Sequence, residues 1–239
     1  MDWGGSAGSA CIEMLFLEAA DPAERIKLAA EAGYAAIEFW THSNKDLVAI
    51  QSAVRAAGIL VTGFVAEPDV SLNDPSNHES FLAALPASIA IAQSLGARFL
   101  YIQGGRILDG VPRQDQTKAL IQVLTRAAHV LQGSGITLLL EPVSDTDKGF
   151  LTHAAEGFSI VAEVNRPEVR LLYDLFHAAV AAEDLRSTAS GLVHLIGHVH
   201  VADFPGRGAP GTGRLDLTGD AAWLRAQGYT GLFGMEYVP

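Results

Sequence analysis

The sequence predicts a closed (β/α)8 barrel, and three observations carry that prediction. Short apolar runs alternate with amphipathic helical stretches along the whole chain, at the spacing that parallel strands joined by right-handed crossovers need. The strand-like runs number eight, with seven helices between them. Polar residues stand at the C-terminal ends of several of these runs across the chain, not at a single switch point. A barrel gathers its strand ends at one mouth, whereas an open doubly wound sheet spreads them along a crevice. A chain of 239 residues, 49% hydrophobic, has the apolar material to build this as one domain over residues 1–239.

Met1 to Ser9 is rich in glycine and serine and is expected to fray. Ala10 to Phe16 reads as the first strand. Asp21-Pro22 then opens a helix to Gly33, an N-cap followed by proline at the first helical position. Tyr34 to Trp40 is the second strand; Asn44 or Asp46 caps a helix to about Ala57, and Gly58 stops it. Strand Ile59 to Val65 leads through a polar loop, Asp69 to Asn77, into a helix ending near Leu95-Gly96. Strand Arg98 to Ile102, the turn at Gly104-Gly105 and helix Gln114 to Leu131 follow. The series closes with strand Ile136 to Glu141, helix Ala154 to Val164, strand Val169 to Asp174, helix Asp184 to Leu195, strand Gly197 to Val201, helix Gly219 to Ala226 and strand Leu232 to Glu236. The sequence stops at Pro239, so the expected barrel lacks its final helix. The groove beside the first and eighth strands is then expected to be bare unless a second copy of the chain covers it.

A net charge of −11 disfavours nucleic acid and anionic lipid as partners. A small anionic substrate would need a local cationic pocket. Cys11 is the only cysteine, which excludes an internal disulfide and a thiolate metal site, and it reads as a small buried hydrophobe on the first strand. No apolar run is long enough to span a bilayer, and the N-terminus has no basic stretch of a secretory signal. A cytoplasmic protein is the expectation.

Four strand ends carry chemistry. Ile136-Thr137-Leu138-Leu139-Leu140 ends on Glu141, Leu171-Leu172-Tyr173 on Asp174, Ile196-Gly197-His198-Val199 on His200, and Gly231-Leu232-Phe233-Gly234-Met235 on Glu236. A buried strand has no use for a charge at its tip without a partner. Three carboxylates and an imidazole suit Mn2+ or Mg2+, with Co2+ or Zn2+ as further options, and leave positions open for substrate oxygens. His198 lies one layer deeper on the same face and reads as a core histidine behind His200. His153, His129 and His78 read as solvated. Gly206-Arg207-Gly208-Ala209-Pro210-Gly211 has the spacing of a dinucleotide fingerprint, but its proline and the lack of a following apolar helix mark a mouth loop.

The segments Leu140-Glu141-Pro142, Tyr173-Asp174-Leu175-Phe176-His177, His198-Val199-His200-Val201-Ala202-Asp203, Arg207-Gly208-Ala209-Pro210-Gly211-Thr212-Gly213 and Met235-Glu236-Tyr237 resemble the motifs of the hydroxypyruvate isomerase family, among the xylose-isomerase-like sugar isomerases and epimerases. Ala36-Ile37-Glu38-Phe39-Trp40 extends the resemblance to the second strand. It implies a TIM barrel holding a divalent metal on Glu141, Asp174, His200 and Glu236. It also implies proton transfer between neighbouring carbons of an α-hydroxycarbonyl compound through an enediolate. Glu141 and Glu236 would take and return the proton, and His177 would hydrogen-bond a substrate oxygen. Arg207 would clamp a substrate carboxylate or hydroxyl, or else be a solvated loop arginine. Glu38 and His42 would complete the pocket, Glu38 either as a substrate-binding group or as a deeper hydrogen-bonded one. Lys45 reads as a surface lysine at a helix start. Histidine at the seventh strand is what ketose 3-epimerases often carry, where hydroxypyruvate isomerases often have glutamine. The chain departs from the family pattern at Ser144, at Asp147-Lys148-Gly149, at Ala179 and at Arg214, positions expected to line or border the pocket. The reference reaction is hydroxypyruvate to tartronate semialdehyde. The alternatives are a ketose 3-epimerase, a DNA-repair nuclease, which the charge disfavours, and a barrel serving only as a binding module.

Overall fold

The computed structural model describes residues 8–144 and 148–239. It forms a closed barrel of eight parallel strands in sequence order, with β1 (Ser9–Cys11) paired to both β2 (Ala36–Phe39) and β8 (Phe233–Met235). Between them run β3 (Leu60–Val65), β4 (Phe99–Gln103), β5 (Thr137–Glu141), β6 (Val169–Asp174) and β7 (Ile196–Val201). The predicted barrel is the observed one.

Aspartates start several of the helices. Asp21 accepts from the Ala23 N–H ahead of α1 (Pro22–Glu31), and Asp46 accepts from Val48 and Ala49 ahead of α2 (Leu47–Ala57). Such caps satisfy N–H groups that the helix itself cannot. Gly58 and Gly96 adopt the left-handed conformation that ends α2 and α3 (His78–Leu95). Helices α4 (Arg113–Leu131), α5 (Ala154–Val164), α6 (Leu175–Val180), α7 (Leu185–Thr188) and α8 (Leu217–Ala226) complete the outer layer.

Four expectations change. The first strand is only Ser9–Cys11: the Met14 and Leu15 N–H groups bond back to the Cys11 carbonyl, so the chain turns where a strand to Phe16 was expected. Ser9, expected to fray, is fully buried in that strand; residues 1–7 lie outside the described part. The helix expected over Asp184 to Leu195 is α7 alone, followed by Gly191 at φ 73° and a 3-10 turn at Val193–Leu195, while α6 begins directly on Asp174. No helix follows β8, yet the groove beside it is not bare. Ala10 and Phe233 are fully buried and Met235 is nearly so, with Phe16, Tyr34 and Tyr237 packed on the same core.

The main core lies between strands and helices, and a second cluster, Tyr101, Leu139 and Leu172, fills the barrel interior. Tyr101 fits because β3 carries glycine beneath its ring: a Cβ at Gly63 would stand 2.7 Å from the phenol. Among the described residues no helix is long and apolar enough to cross a membrane.

Candidate active site at the C-terminal mouth of the barrel

Strand pleating places the site. Side chains alternate between the helix layer and the barrel interior. Leu138 and Leu140 join the outer core while Leu139 joins the inner cluster, so Glu141 follows Leu139 onto the inner face. The same two-residue step leads from Leu172 to Asp174, from His198 to His200 and from Gly234 to Glu236. Because all strands run parallel, these inner-face ends meet at one mouth. One ligand atom from each of Glu141, Asp174, His200 and Glu236 lies within 4.8 Å of the others, and all four residues are buried.

The donor set fits a divalent cation. Asp174 divides its carboxylate: Oδ1 accepts from the N–H groups of Phe176 (2.7 Å) and His177 (3.1 Å), capping α6, while Oδ2 is buried without a hydrogen-bond partner. His200 Nδ1 is likewise without one, 3.2 Å from Glu236 Oε2 and 3.4 Å from Glu141 Oε1. Buried polar atoms rarely stay unpaired, and here they converge with two more carboxylates on one point. Three hard oxygens and one imidazole nitrogen match Mn2+ or Mg2+, and also accommodate Co2+ or Zn2+.

The two glutamates differ electrostatically. Burial alone would raise the Glu236 carboxyl, but the His200 imidazole, the Arg207 guanidinium and the Trp40 indole outweigh it and hold it down at about 2. Arg207 donates to Glu236 Oε2 and Trp40 Nε1 to Glu236 Oε1, each at 2.7 Å. For Glu141 burial prevails against the pull of His200, and its carboxyl lies above the ordinary value. Burial would lower the His200 imidazole, but the carboxylates of Glu236, Glu38 and Glu141 raise it well above the usual histidine range. Cys11 Sγ stands 3.8 Å from Glu236 Oε1, and burial pushes its thiol well up, so it stays a packed neutral side chain.

The cleft over this cluster holds about 530 Å3, within the range of small-molecule sites. His177 lines it, with Nε2 3.8 Å from Asp174 Oδ2. Arg207 lines it too and is bound into the site, lying over the Phe176 ring at 5.3 Å. Glu38, expected either as a substrate-binding group or as a deeper hydrogen-bonded one, is not on the cleft wall. It is 1% exposed and sits beneath His200, accepting from Tyr101 (2.7 Å) and His198 (3.0 Å). Lys45 is no surface residue: its ammonium is buried against Glu13 and the Thr41 carbonyl. His78 is buried too, its ring nitrogen 2.9 Å from the Leu72 carbonyl.

Trp40, Glu67 and Gln103 line the cleft on its far side and were not singled out by the sequence. The signal was available, since each stands on the inner-face parity at the end of β2, β3 or β4. None of the departures at Ser144, Ala179 and Arg214 lies on the cleft wall. Ser144 Oγ donates to the His177 carbonyl, and Arg214 lies over the Phe204 ring at 4.8 Å, so both act on supporting structure. Asp147 falls outside the described residues.

Comparison with known proteins places this geometry. A Streptomyces coelicolor protein with the provisional name hydroxypyruvate isomerase is 32% identical over 90% of this chain and 85% of its own. The hydroxypyruvate isomerase of Escherichia coli K12 is 28% identical, covering 97% of this chain and 93% of its own. The crystal structure of an AP endonuclease, family 2, from Brucella melitensis superposes with a TM-score of 0.92 at 28% identity, over 98% of this chain and 93% of that one. Residues 26–239 match the family described as the xylose isomerase-like TIM barrel, and the chain belongs to that family, on its isomerase and epimerase side.

Proposed function

We propose that this protein is a divalent-metal-dependent isomerase of a small α-hydroxycarbonyl compound, with hydroxypyruvate to tartronate semialdehyde as the reference reaction. The observation that supports it above all is the convergence of Glu141, Asp174, His200 and Glu236, with two of their atoms buried and without a hydrogen bond. Those four would hold Mn2+ or Mg2+, and such an ion, when bound, polarises a carbonyl and favours the charge of an enediolate. The side chains do the rest. Glu236, the glutamate held ionised, takes the proton from the hydroxyl-bearing carbon. Glu141 returns a proton to the neighbouring carbon, and the roles reverse in the return reaction. His177 hydrogen-bonds a substrate oxygen, and Arg207 pairs with a substrate carboxylate. The substrate is the small-molecule partner; the charge of −11 argues against nucleic acid.

A ketose 3-epimerase is the second reading, favoured by histidine at position 200 and by a cleft that reaches across to Glu67 and Gln103. Hydroxypyruvate and free ketoses incubated in D2O with added Mn2+, followed by NMR, separate the two. Deuterium entry into hydroxypyruvate with formation of the semialdehyde supports the first reading. Exchange and epimerisation of ketoses alone supports the second, and no exchange with any of them, in protein that binds Mn2+, rejects both. Arg207→Ala should raise KM about 10- to 150-fold for a carboxylate substrate, since charge-assisted pairing contributes about 1.5–3 kcal/mol, and much less for a neutral ketose.

A further inference from the structure

We infer that Glu38 decides which nitrogen of His200 faces the bound cation, acting as a positioning residue from beneath the site. This rests on the metal reading above and extends it to a residue that touches neither ion nor substrate.

Glu38 projects from β2 into the barrel interior, where its Oε2 collects three donors from two other strands. Tyr101 on β4 donates at 2.7 Å, His198 Nε2 on β7 lies at 3.0 Å, and His200 Nε2 lies at 3.3 Å. An ionised carboxylate only accepts, so a ring nitrogen facing it carries the proton. An imidazole ligates a metal in its neutral form, and with Nε2–H kept on Glu38 the lone pair of that form is on Nδ1. Nδ1 is the atom turned upward, 3.2 Å from Glu236 Oε2 and 3.4 Å from Glu141 Oε1, with no hydrogen bond of its own. Ring orientation and donor atom are thus fixed by one contact from below, the way carboxylate–histidine pairs set metal ligands elsewhere.

The surroundings are shaped to keep that contact. His198 stacks on Tyr101 (6.1 Å, 7° between planes) and meets His200 edge-on at 5.1 Å, so neither imidazole can turn over freely. On β8 the position facing them is Gly234. A Cβ there would stand 2.3 Å from Glu38 Oε1, 2.7 Å from His198 Nε2 and 2.7 Å from His200 Cδ2. Glu38, His198 and His200 could also be read as a second metal set. Their nitrogen–oxygen separations are hydrogen-bond lengths, and Tyr101 takes a further place on the same oxygen, so they form a hydrogen-bonded support. One ion per chain is therefore expected.

The test is Mn2+ titration of the intact protein by EPR of the free ion, with wild type, Glu38→Gln, Glu38→Ala and Gly234→Ala. Wild type should bind one Mn2+. Glu38→Gln, which keeps one acceptor, should bind about 10-fold more weakly, and Glu38→Ala about 100-fold. Gly234→Ala keeps every ligand and should still weaken binding by displacing Glu38. Long-range 1H–15N correlation of histidine-labelled wild type with Zn2+ should show His200 protonated at Nε2 and coordinated at Nδ1, a signature that loss of packing would not produce. Wild type that takes up no Mn2+ overturns the metal reading and this inference with it. Wild-type binding with equal affinity in the Glu38 variants, coordination through Nε2, or two ions per chain overturns the role of Glu38 and leaves the metal reading standing. Should Glu38→Ala not fold, Glu38→Gln and the NMR signature decide.

Discussion

Trp40 Nε1 donates to Glu236 Oε1 from a ring that is 43% exposed, which is a poor use of a large apolar side chain unless the indole N–H matters. A hydrogen bond to a charged acceptor contributes about 1.5–3 kcal/mol, or roughly one to two pKa units. Trp40→Phe keeps the ring and removes the donor, so the Glu236 carboxyl should rise. The acid limb of the kcat/KM profile should then move to higher pH by about one unit, and an unmoved limb would separate Trp40 from the titration of Glu236. The glutamate pair separates by isotope. Glu236→Gln should lose deuterium uptake altogether, whereas Glu141→Gln should keep uptake at the abstraction carbon and lose net conversion by about 1000-fold. Equal behaviour of the two would reject the division of roles. The quartet was legible in the sequence because a carboxylate or imidazole at the end of an apolar run has few bland explanations. Trp40 carries the inner-face parity signal, but an apolar ring at a strand end reads as packing, and its target lies across the barrel closure, just past β8. Lys45 was misread for the same reason: Glu13, which buries it, is distant in sequence.

The loop after β7 is held by one buried carboxylate. Asp203 Oδ1 accepts from the N–H groups of Phe204 (2.8 Å) and Leu215 (3.0 Å), and Oδ2 from Gly211 (2.9 Å). This loop carries Arg207, whose carbonyl accepts from the Val238 N–H at 2.8 Å. Burial would raise the Asp203 carboxyl, but the N–H groups of Leu215, Gly213, Gly211 and Phe204 outweigh it and lower it. Its anchorage is therefore complete above the ordinary aspartate value near 4 and is lost as pH falls through the lowered folded-state value. Asp203→Asn should cost about 2 kcal/mol and lower Tm by about 4–8 °C at neutral pH, a gap from wild type that narrows on acidification. A constant gap down to pH 3 would remove the carboxylate charge from the account. Element boundaries were legible where a cap or a glycine marks them, as at Asp21, Asp46 and Gly58. They failed where tertiary bonding decides. Asp174 caps α6 while belonging to the site, and the long helix expected after Asp184 stops at Thr188.

At the scale of the molecule, the barrel brings Glu141 from β5, Asp174 from β6 and Glu236, just past β8, into one buried space. Like charges at such separations destabilise the fold unless a cation offsets them. Arg207 supplies part of that compensation, 2.7 Å from Glu236 and 3.8 Å from Asp174. A divalent ion on the quartet would tie the second half of the barrel together and bind the folded state only. At a free concentration 100 times its Kd it would stabilise by about 2.7 kcal/mol, and for a domain of this size that is roughly 5–11 °C in Tm. Mn2+ should therefore raise the melting temperature in a saturable way and EDTA should reverse it. Asp174→Ala should remove most of the increment without abolishing folding, since Arg207 still offsets Glu236. If Mn2+ leaves the wild-type Tm unchanged at concentrations that saturate activity, the ion is not held by these four strands. An equal increment in Asp174→Ala would place the ion elsewhere on the protein.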